Sequence, residues 1–230
     1  VRRDADGKWN LPSWPQAPSL EHPAPILVVR RGHLLLDDRH GGVVRPIVEL
    51  HAVQLTVVND PLPMVSIQGN AIGPLGELRG RGSYERSTQS AQFTIELPRY
   101  DLSSQNVGLL GAHFSTIQQH LHGVRGQGSA ELTLKYTPGA KPKWHVDLRF
   151  RFQRGQIVHP RLPWRSLEHV DFTGRYHQGN LVIDSGQARS GPTRLTFQVE
   201  ASLPRDGVFP DDPEDCLRRF QLSIYQLTLS

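Results

Sequence analysis

The chain has 230 residues, 37 % of them hydrophobic, with 21 glycines and 18 prolines. That is length for one large β domain or two small ones, and such a composition suits many strands that are dry on one face only. A net charge of +4, from 26 basic and 22 acidic residues spread along the chain, is too weak to argue for nucleic acid; the lone Cys216 excludes a disulfide framework, and no apolar run nears the roughly 20 residues of a membrane-spanning helix.

Residues 1–25 are polar, anchored only by Trp9 and Trp14, and Pro12, Pro15, Pro18, Pro23 and Pro25 forbid a helix. An extended polar lead-in is expected here. The segment begins at Val1 with no signal peptide, so any targeting segment is expected to lie outside this sequence. Ile26–Arg30, Arg31-Gly32 and His33–Asp37 read as strand, tight turn and strand. Strands are further expected at Ile47–Asn59, Val65–Ile72, Leu75–Tyr84 and Gln92–Leu97, from alternation such as Phe93, Ile95 and Leu97. The period then changes. Val107, Leu110, Phe114, Ile117 and Leu121 step by three and four, which predicts a helix firm over Ala112–Leu121.

Residues 124–153 carry the clearest pattern. Leu132 and Leu134 alternate with Glu131, Thr133 and Lys135; after a Pro/Gly-rich connector, Trp144, Val146, Leu148, Phe150 and Phe152 alternate with His145, Asp147, Arg149 and Arg151. Period-two alternation places the seven apolar residues on one face of an antiparallel hairpin. A second hairpin, His169–Tyr176 and Asn180–Ala188, turns at Gln178-Gly179, and Arg194–Leu203 continues the meander. Asp212-Pro213 predicts a short helical turn through Arg219, followed by a strand over Phe220–Leu229.

The chain also repeats itself weakly. Arg31-Gly32 matches Arg154-Gly155, Leu50–Leu55 matches Leu167–Phe172 at an offset of 117, Gly73-Pro74 matches Gly191-Pro192 at 118, and Phe93-Thr94-Ile95 matches Phe220-Gln221-Leu222. The expected organisation is therefore a lead-in at 1–25 and a single all-β, mostly antiparallel domain at 26–230. That domain is a long curved amphipathic sheet of two similar meanders, about 26–122 and 124–230, with one or two short helices.

Asp6–Leu11, Ile26–Asp37, Val170–Tyr176 with Phe172-Thr173-Gly174, Gly179–Ile183 and Gly191–Leu195 give the chain a likeness to a known group. In these stretches it resembles the AsmA-like family, which includes the TamB-type envelope proteins. The resemblance implies a gutter-shaped antiparallel sheet, apolar within, that helps move phospholipids between the membranes of a double-membraned envelope. It implies phospholipid acyl chains as partners, a periplasmic or cell-envelope location, and attachment to the inner membrane by a flanking region outside this chain. Better-known members carry an N-terminal anchor and many more strands; neither is present in these 230 residues.

Catalytic chemistry is not expected. There is no Gly-x-Ser-x-Gly elbow and no phosphate-cradling loop. His120-Leu121-His122, with His113, lacks a zinc ligand set; Asp211, Asp212, Glu214 and Asp215 lack calcium-loop spacing, and Asp37-Asp38 reads as a turn, so no metal and no cofactor are expected. Arg149, Arg151, Arg154, Arg161 and Arg165 surround Phe150, Phe152 and Trp164, but arginine and phenylalanine alternate in one strand and fall on opposite faces, which argues against nucleic acid. The leading expectation is a non-catalytic lipid groove lined by Leu132, Leu134, Trp144, Val146, Leu148, Phe150 and Phe152. The alternative is a closed β-sandwich that scaffolds or adheres in the envelope, with the same residues sealed in a core.

Overall fold

The structure is a computed structural model that describes residues 2–3, 26–38, 45–59, 63–103, 105–106, 123–159, 166–202 and 217–225. Twelve strands follow one another: β1 (Arg2–Arg3), β2 (Leu27–Asp38), β3 (Arg45–Val58), β4 (Met64–Gly73), β5 (Gly76–Glu85) and β6 (Ser90–Leu102), then β7 (Val124–Tyr136), β8 (Trp144–Val158), β9 (Ser166–His177), β10 (Asn180–Ser190), β11 (Thr193–Ser202) and β12 (Leu217–Tyr225). They form one sheet whose spatial order is the sequence order, open and curled, antiparallel throughout except where β1 pairs parallel with the end of β2. The all-β curved sheet expected from the alternation is thus what the chain forms. The predicted helix at Ala112–Leu121 lies outside the described residues. So does the start of the turn at Asp212-Pro213, but residues 217–219 of that turn belong to β12 instead.

Two tight turns are simple consequences of sequence. Gln178-Gly179 joins β9 to β10 with both residues at positive φ (49° and 92°), the primed geometry that matches the twist of a two-residue hairpin. Gly191-Pro192 joins β10 to β11, with Gly191 at φ 56°.

One local expectation is corrected. Arg31-Gly32 is not a turn: β2 runs unbroken from Leu27 to Asp38, and Arg31 is an extra residue with φ 55°. A second extra residue, Ala52 at φ 50°, sits opposite in β3, so the register lost at one bulge is regained at the other, with Gly32 facing Val53. The identical device recurs in β8 and β9, where Arg154 (φ 53°) and His169 (φ 49°) flank the Gly155–Val170 pair. The Asp171 carboxylate accepts a 3.1 Å hydrogen bond from the Arg154 amide and so occupies a donor that the bulge takes from the ladder.

These matched bulges give the two meanders a structural equivalence. Val29–Leu55–Gly69–Gly80–Ile95 runs straight across β2 to β6, and Phe152–Phe172–Gly186–Phe197–Leu222 runs straight across β8 to β12. Ala71 faces Leu78 and Ala188 faces Leu195, both at an offset of 117; the Gly-Pro pair has merely moved one place within its turn. β7 is the strand between the two copies.

Among the described residues, the buried cluster lies mostly in the second copy and is joined by Tyr100 of β6. Phe152, Val170, Ala188 and Leu195 form the rest of it, with Phe172, Phe197, Leu97 and Ile157 packed against the cluster. Glycines make room for the rings. A Cβ on Gly186 would fall 2.3 Å from the Phe197 ring, one on Gly174 2.5 Å from Phe150, and one on Gly128 2.5 Å from Tyr100. Because Gly186 has no side chain, Phe172 and Phe197 meet above it at 6.2 Å between centroids, although β10 separates their strands.

Candidate functional site

The seven residues expected to share one face do share it. Leu132 lies directly opposite Leu148, Leu134 opposite Val146, Tyr136 opposite Trp144, Ala130 opposite Phe150 and Gly128 opposite Phe152. Directly opposed residues of an antiparallel pair point to the same side, so β7 and β8 present these side chains together. The row extends far beyond the hairpin. Val29, Leu55, Gly69, Gly80, Ile95, Leu132, Leu148, Tyr176, Leu181 and Ala201 stand opposite one another in turn from β2 to β11. Ten strands at about 4.8 Å spacing make an apolar band about 43 Å across. A parallel row, Leu27–Val57–Ile67–Gly82–Phe93–Leu134–Val146, widens it over β2 to β8.

Burial along the band is uneven. Phe152 is 2 % exposed, whereas Trp144 is 49 % exposed, and Leu132, Leu134, Val146, Leu148 and Phe150 are half-buried. Among the described residues, the strand pairs in close contact are neighbours in the sheet. Trp144 stays packed on its cross-strand neighbour Tyr136, with ring centroids 4.9 Å apart. Among the described residues, Tyr100 is the one ionisable group in the buried cluster. Its hydroxyl donates to the Arg151 carbonyl at 3.0 Å, and burial pushes its pKa up to about 12.

The opposite face is polar and ionic. Glu131 stands opposite Arg149, Arg149 opposite Arg175, and Asp147 opposite His177, with which it also makes a side-chain contact. Exposed pairs join Arg81 to Glu96 at 3.3 Å and Arg175 to Asp184 at 3.5 Å. Arg149 and Arg151 thus point away from Phe150 and Phe152, as the alternation requires. Arg161, Arg165, Trp164, the His120-Leu121-His122 group with His113 and the acidic cluster at 211–215 lie outside the described residues.

Sequence spacing missed one group of side chains. His33 on β2 and Glu49 and His51 on β3 converge on the polar face, all exposed. The signal was faint: Glu49 and His51 are two apart and so share a face, but His33 joins them only through the register of the bulged pair.

No family model, curated protein or solved structure matches the chain.

Proposed function

We propose that this chain is a non-catalytic lipid-binding β-groove whose apolar band receives phospholipid acyl chains. The observation that carries the reading is the row from Val29 to Ala201, apolar or glycine at every strand and half-buried along most of its length on a single curled sheet. A sheet with one dry face needs a cover, and acyl chains supply one without specific contacts. Each CH₂ withdrawn from water contributes about 0.8 kcal/mol, so Leu132, Leu148 and Phe150 bind a chain by area alone, while charged headgroups stay in water at the open side. Phospholipid transport in a double-membraned envelope, with membrane attachment through flanking regions, is the setting that the AsmA-like resemblance suggests.

The alternative is a closed sandwich acting as an envelope scaffold. It requires a second layer about 10 Å from the first that would bury the inner face throughout, and the exposed Trp144, with Leu148 only half-buried, favours the groove. Organic extraction of the purified chain followed by mass spectrometry tests the proposal. Phospholipid in about stoichiometric amount, displaced by a fluorescent fatty acid, is the expected result. A lipid-free protein that also ignores the fatty-acid probe would end it.

A further inference from the structure

The geometry points to a binding site for one divalent transition-metal ion of the zinc, nickel or copper class, formed by His33, Glu49 and His51 on the polar face. His33 Nε2 lies 2.8 Å and His51 Nε2 3.6 Å from the same Glu49 oxygen, and one donor atom from each residue lies within 4.8 Å of the others. The two imidazoles are stacked nearly parallel, 8° apart with centroids at 4.9 Å, so the pair is already assembled across the two strands. Donors bound at about 2.0–2.1 Å in a tetrahedral shell stand about 3.4 Å apart, and the two measured separations bracket that value. Turning the two exposed rings out of their stack aims both in-plane lone pairs, together with the Glu49 oxygen, at one ion.

The donor set also selects the ion. Two imidazoles and one carboxylate suit borderline cations, whereas calcium and magnesium prefer oxygen alone. Three protein donors leave a position for water, and the side chains are 53 %, 50 % and 60 % exposed in chain order of His33, Glu49 and His51, so the ion enters directly from solvent.

The internal repeat shows that the fold does not demand this cluster. At the equivalent places beside the second bulge pair the chain carries Gln156, Ser166 and Glu168, and that pair forms nonetheless. An ion held by His33 on β2 and by Glu49 and His51 on β3 cross-links the two strands beside their bulges. It binds only the folded pairing and therefore stabilises it.

Isothermal titration of the full chain with Zn²⁺ alone, alongside the variants His33→Gln/His51→Gln and Glu49→Gln, tests the assignment. One ion per chain and a raised melting temperature are expected for the parent. Loss of a residue that hydrogen-bonds to a metal ligand weakens such sites about 10–100-fold, so removal of the ligands themselves is expected to reach the upper end of that range. On the unmodified chain, Zn²⁺ is expected to protect His33 and His51 from diethylpyrocarbonate, read by peptide mass spectrometry, over the other nine of the eleven histidines. A parent chain that binds no Zn²⁺, a double variant that binds it unchanged, or protection that spares these two residues would each overturn the assignment. None of these outcomes depends on lipid binding.

Discussion

At the residue scale, size and polarity decide single positions sharply. Tyr100 has a hydrogen-bonded hydroxyl within the apolar cluster, and its folded-state pKa of about 12 lies above the ordinary value of 10.0. The neutral phenol is the form the fold prefers. Its contribution is therefore complete below about pH 10 and is lost as pH rises towards 12, amounting to about 1–3 kcal/mol. Absorbance titration at alkaline pH should show a late-ionising tyrosine component, and Tyr100→Phe should remove it. Gly186 poses the opposite problem. Its missing side chain is the space in which Phe197 lies, so Gly186→Ala is expected to destabilise the chain by about 1–3 kcal/mol in urea. Adding Phe197→Leu should recover part of that loss, and a strictly additive double variant would show that the ring is not what fills the space.

At the level of elements, the alternation told most of the story. The first strand of the hairpin expected over residues 124–153 is the observed β7, and the two-residue turn at Gln178-Gly179 is where the glycine placed it. What alternation did not reveal was the bulges. Arg31, Ala52, Arg154 and His169 carry no glycine signature at their own positions, yet each adopts positive φ, and Arg31-Gly32 therefore read as a turn. The pairing across strands forces that conformation, and a single strand's sequence does not encode its partner's extra residue. Hence the repeat was visible as scattered matches before its common cause, two copies of one bulge pair, was. The same ignorance of register hid the meeting of His33 with Glu49 and His51. The Gln178 turn offers a clean test of local strain. Asn tolerates the primed-turn conformation better than Gln, so Gln178→Asn should raise stability by about 0.5 kcal/mol in thermal melts, even with the 2.7 Å contact to His145 removed.

For the molecule as a whole, the question is whether the apolar band is a core or a lining. The seven residues from Leu132 to Phe152 were legible as one face because period two fixes it, but the uneven burial along them was not, because exposure depends on curvature contributed by all the strands together. Leu148→Asp separates the readings. On a water-accessible lining the charge stays solvated, the circular dichroism spectrum persists and acyl-probe binding falls; in a sealed interior an unpaired carboxylate is too costly and the chain unfolds. The groove reading requires the first outcome.

The strict succession of the strands has a mechanical corollary. Pulled from its two ends, a sheet whose neighbours in space are always neighbours in sequence offers its ladder to the load one rung at a time, starting from the margins. Optical tweezers should then record a staircase of small extensions instead of one abrupt rupture, and relaxation of the load should wind the ribbon back along the same steps.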